Sequence, residues 1–203
     1  MTKDPLLPAP RRLEAGPERG PTDSRKGADL VDSRVLLAPD DGSLGPLLRV
    51  ADDRLGPGAG YGRHAHADVD VVAVVLAGSL RHAWGPGAVL GPGDVAVLRA
   101  GRGLQHDEVA GTGGAHVLQA HLRSAEPGGQ PAHDVLLRPS GWVDLGRSDA
   151  RLWVGEAGPD VPAGLRVVVR DGEVTAERGD GAVPGPAVVC VWQLDAARPA
   201  WAD

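Results

Sequence analysis

Four residues of this chain have the types and spacing to hold a metal ion. They are His64 and His66 in YGRHAHADVD, and His106 and Glu108 in GRGLQHDEVA. In an extended segment side chains alternate between faces, so residues two apart point the same way. Each pair therefore offers two ligands on one face. The chain between the pairs is long enough to bring them together inside one barrel, where three imidazoles and one carboxylate would converge. Imidazole favours Fe, Ni, Cu or Zn, and carboxylate tolerates Fe and Mn. Four protein ligands leave positions on an octahedral ion for water, dioxygen or a bidentate substrate. Structural zinc sites usually contain cysteine and are closed, so this set has a catalytic character. Either pair alone is also an ordinary exposed-strand pattern. The conjunction is what points to metal.

Neighbouring titratable residues have blander readings. Asp107, between the second pair, should point to the opposite face and be solvated. Asp70 shares the parity of His64 and His66, as either a partner of the ligands or a surface carboxylate. His82, His116, His121 and His133 have no companion at ligand spacing and read as surface positions.

The elements that must position these residues are strands. The composition has 30 Gly, 18 Pro, five Trp, one Tyr and no Phe, so the core falls to Val, Leu and Ala. Gly and Pro punctuate short apolar runs such as VDVVAVVLAG, DVAVLRA and HVLQAHL, the texture of an antiparallel sandwich or barrel. In Gly91-Pro92-Gly93-Asp94, Pro92 presets the second turn position and Gly93 supplies a positive φ at the third, a type II turn. The Asp-Gly of RVVVRDGEVTAE predicts a hairpin. Residues 1–28 read as a flexible arm, 29–125 as a metal-binding β domain, and 126–203 as a second β domain without the ligand set. The net charge of −6 and the lack of a long basic stretch argue against nucleic acid. VVAVVLAG is too short to span a bilayer, and the first residues lack a signal-peptide core, so a soluble cytoplasmic chain is expected. The single cysteine, Cys190, lies in VVCVW and reads as a small buried hydrophobe.

The stretch from Gly45 to Glu108 resembles the first cupin domain of the pirin family. GPLLRVADDRLGPGAGYGRHAH is similar to the segment leading into that family's HxH pair. VVLAGSLRH, a GPGDV turn and AGRGLQHDE follow in the family's order. The resemblance implies an all-β bicupin fold of two antiparallel β-barrel (jelly-roll) domains, the second shorter and without a metal site. It implies metal on His64, His66, His106 and Glu108, usually iron, and in some members quercetin 2,3-dioxygenase activity. Other members are regulatory partners rather than enzymes. The chain departs from the family at Ala65, where proline is usual, at HAWGPGAV in place of a polar turn, and at Asp107 in place of serine.

Two functions follow. The first is a metal-dependent dioxygenase acting on a small enol, catechol or flavonol, with Glu108 both ligand and proton acceptor. The second is a non-catalytic module that senses metal or redox state or binds another protein. Because imidazole must be neutral to ligate, metal loss is expected below about pH 6.

Overall fold

The computed structural model describes residues 30–39 and 41–195, so the arm expected over 1–28 lies outside the described residues. Among the described residues there are fourteen strands and no helix. The first sheet runs β1 (Val31–Leu37), β2 (Leu47–Leu55), β8 (Glu108–Arg123), β4 (Val69–His82), β6 (Val95–Arg99) and β9 (Ala132–Leu136). A short β5 (Ala88–Leu90) also pairs with β4. The second sheet runs β10 (Gly141–Val143), β11 (Ala150–Glu156), β14 (Val188–Leu194), β12 (Gly164–Arg170) and β13 (Glu173–Gly179). A two-stranded piece joins β3 (His64–His66) to β7 (Leu104–His106). All pairings are antiparallel, as expected of an all-β, two-barrel chain.

The run VDVVAVV is continuous rather than alternating because β4 is covered on both faces. Val72 and Val74 join Leu47, Val50, Leu118 and Leu122 in a core shared with Leu152, Val167, Cys190 and Trp192 of the second sheet. Ala73 and Val75 turn the other way, into the first barrel, with Leu55, Leu80, Ala96 and Val117. Each half of the side-chain alternation is thus buried against a different partner. The far face of the second sheet closes on a smaller cluster of Val161, Val168, Val183, Val189 and Val191. Burial drives the Cys190 thiol up to about 12, leaving it an inert hydrophobe.

Both expected turns are present. Gly93 has φ +86°, and the Asp94 amide donates to the Gly91 carbonyl at 3.0 Å. Asp171 and Gly172 both have positive φ, and Arg170 stands opposite Glu173 across the resulting hairpin.

The first sheet extends beyond residue 126. β9 pairs with β6, so the chain leaves this sheet only after Leu136. Two further ties hold the halves together. Arg34 donates to the Val174 carbonyl at 2.8 Å, and Arg147 pairs with Asp70 at 2.8 Å with both side chains buried. Asp70 is therefore neither a partner of the histidines nor a surface carboxylate. It anchors the connector that precedes β11.

Candidate metal centre

The ligand pairs meet because β3 and β7 are antiparallel partners, with His64 directly opposite His106. Tight turns deliver these short strands. After His66 the chain reverses at Asp68, whose φ is +52° and whose amide donates to the Gly101 carbonyl at 2.8 Å. Gly101 itself has φ +48°, and a β-carbon there would sit 2.2 Å from the Gly129 carbonyl oxygen. Only glycine fits.

One ligand atom each from His64, His66 and His106 lies within 4.8 Å of the other two. His64 and His66 are partly exposed, while His106 is buried. Neither ring nitrogen of His106 has a hydrogen-bond partner. A buried imidazole without partners is costly unless something else satisfies it. The His64 Nδ1 lies 2.8 Å from the Gly62 carbonyl, so Nδ1–H donates there and Nε2 is left as a bare donor atom. These residues fit a divalent ion bound through imidazole nitrogen.

Glu108 is buried at the start of β8 but is otherwise engaged. Its Oε1 lies 2.6 Å from His82 Nε2, and its Oε2 accepts from Gln119 Nε2 at 2.9 Å. It stands outside the group formed by the three imidazoles. The spacing argument brings three of the four predicted ligands together and leaves the fourth beside them.

The reading of the other histidines as surface residues needs correction. His82 is buried, and its register opposite Glu108 on β8 explains the contact. Its Nδ1 lies 3.2 Å from His133 Nε2, with the two rings stacked. His121 on β8 is half-buried and turns into the barrel, 5.6 Å ring to ring from His66. His116 bonds the buried Asp52 at 2.6 Å. Counting residues two apart along one strand misses partners that lie across strands. The signal that could have found His82 is its parity with Leu80, a core residue. Asp107 is also not freely solvated, because its Oδ1 is enclosed.

Burial disfavours the charged form of His66, His106 and His121. Burial, reinforced by His64, lowers the pKa of His66. Burial pushes His106 down to about 4. His121 also falls to about 4, through burial first and then His66 and Arg49. For Glu108, burial alone would favour protonation. The contacts from His82 and the Gln119 amide outweigh it and hold the carboxyl below its ordinary range. Tyr61 stands edge-on to His64 at 6.2 Å. A recess of about 540 Å³, lined by Ser43, Arg178, Asp180 and Trp192 among others, shares no residue with this cluster.

The family model described as Pirin matches residues 37–122. A Mycobacterium tuberculosis protein provisionally named a quercetin 2,3-dioxygenase is 38% identical over 73 residues, 35% of this chain and 30% of that protein. The quercetin 2,3-dioxygenase of Escherichia coli K12 is 28% identical over 92 residues, 43% of this chain and 40% of that protein. Each match therefore spans less than half of the relative's length. Among solved structures, the E. coli pirin YhhW in complex with nickel(II) superposes with a TM-score of 0.64. It is 20% identical and covers 81% of this chain and 92% of that one. At that identity the likeness concerns the fold.

Proposed function

We propose that the chain is a pirin-family protein, as the match over residues 37–122 supports, and that its first barrel holds one divalent transition metal and uses it as a dioxygenase. The substrate would be a small enol, catechol or flavonol. His64, His66 and His106 would hold the ion, with Glu108 as the adjoining carboxylate and fourth ligand. The observation that carries this reading is the convergence of three imidazoles around His106, whose buried nitrogens have no other partner. The names of the relatives, and the nickel in the E. coli pirin, support the same reading. Iron is the first candidate, with nickel, copper, manganese and zinc also compatible with the donor set.

When bound, the ion would supply Lewis acidity toward a substrate oxygen and a site for dioxygen. The remaining chemistry belongs to the chain. Glu108, whose carboxyl the His82 and Gln119 contacts hold below its ordinary range, would accept a hydroxyl proton at a carboxylate oxygen. The bonds from His82 and Gln119 also fix its orientation. Leu98, Leu104 and Val71 form an apolar cluster beside the site that limits water on one wall.

Metal analysis of protein purified without added metal tests the proposal. About one ion per chain is expected, falling below about a tenth of that in His64→Ala or His106→Ala, because each imidazole is a direct ligand. Oxygen uptake with a catechol or flavonol should then require the loaded metal. If every metal form binds its ion but none consumes oxygen across a broad substrate screen, a metal-holding module without catalysis remains. The absence of metal binding under all loading conditions would sink both readings.

A further inference from the structure

We infer that the barrel beside the three imidazoles contains an anion subsite built on Arg49, which selects substrates carrying a carboxylate in addition to their metal-binding oxygens. This rests on the metal-centre reading and names its substrate class.

Strand register puts the guanidinium there. On β2 the barrel-facing residues include Arg49, Ala51, Asp53 and Leu55, alternating with positions such as Val50 that face the second sheet. Arg49 stands directly opposite His121 on β8, and His121 is the residue whose ring lies 5.6 Å from that of His66. Arg49 is thus one cross-strand step from an imidazole that adjoins the proposed ligands. Its Nη2 donates to Ser33 Oγ at 2.9 Å, but its Nε is buried with no partner. Such a donor is rare and costly, and an incoming acceptor would satisfy it. The planar guanidinium fork matches a carboxylate better than any other side chain does.

Charge agrees. The charged groups around this space are Arg49, Asp53 and Glu108, beside the imidazoles. Asp53 accepts from Ser33 Oγ at 2.5 Å, and burial raises its affinity for a proton. A divalent ion with Arg49 therefore carries at least one more positive charge than the two carboxylates can cancel. One anionic group on the substrate restores balance. The next barrel-facing row along the sheet reads Ala51, Gln119, Ala73 and Ala96, with Gln119 bonded to Glu108, and the flanking Val71 and Leu98 are aliphatic.

The test is calorimetric titration of the full-length, nickel-loaded protein with 3,4-dihydroxybenzoate and with uncharged 3,4-dihydroxybenzamide. The acid should bind about 10- to 100-fold more tightly, the worth of a charged hydrogen bond. Arg49→Gln should erase that preference, leaving amide affinity and nickel content unchanged. Arg49→Met repeats the measurement should the Gln variant not fold. Equal affinity for the two probes, or a preference that survives both substitutions, overturns the subsite while leaving the metal centre intact. If wild-type protein takes up no metal and binds neither probe, the metal-centre reading fails and the subsite falls with it.

Discussion

At the scale of single residues, the site is a set of histidines that burial has made poor bases. His106 and His121 titrate near 4 when folded, against about 6.5 in an unfolded chain. Between those values the unfolded chain binds more protons, so stability falls as pH drops through 6.5 and levels off below about 4. Metal-free protein should therefore lose thermal stability steadily across that window, which a series of thermal melts would show. The same shift acts on metal binding. Protons compete less for His66 and His106 than for free imidazole, so metal release on acidification should begin lower than the pH of about 6 expected from unperturbed histidine. Metal content measured against pH checks this, and loss already under way at neutral pH would contradict it. Gln119 is a second residue-scale case. Gln119→Leu strips an amide donor from the buried Glu108 Oε2 and should cost about 1–3 kcal/mol in chemical denaturation.

Among the elements, β4 and β8 carry the most. They pair over most of their length, with register shifts near Val75–Ala77 and Gly78–Leu80. Gly78 sits at that irregularity with φ +72°, and a β-carbon there would lie 2.1 Å from the Gly114 carbonyl oxygen. Gly78→Ala forces both a disfavoured backbone and a clash. A loss of at least about 2 kcal/mol is expected, together with weaker metal retention, because His82 and Glu108 lie beyond the shift. The connector ahead of β11 is pinned by Arg147, which reaches Asp70, Asp149 and the Arg123 carbonyl. Arg147→Ala strands the buried Asp70 carboxylate and should cost about 3–5 kcal/mol, read from the urea midpoint. A cost within experimental error would mean that water reaches Asp70 and that the pair is not a true anchor.

For the whole molecule, the consequential fact is that the two sheets share one core. Leu47, Val50, Val72, Val74, Leu118 and Leu122 face the second sheet rather than solvent, so the metal-bearing half has no covered outer face of its own. The intact chain should unfold in a single transition, and a chain ending at residue 136 should lack a cooperative melt. The sequence by itself determined the strand-and-turn texture, the Gly91–Asp94 turn and the Asp171-Gly172 hairpin. Those depend on contacts within a few residues. It also singled out His64, His66 and His106, the imidazoles that the fold gathers within 4.8 Å, because two-residue spacing on a strand is a local property. Tertiary structure decided what lies across strands. His82 and Gln119 hold Glu108, His121 and Arg49 stand side by side near the imidazoles, and Asp70 serves the connector. Which strand lies beside which, and in what register, is set by burial of the shared core. No spacing along one strand encodes it.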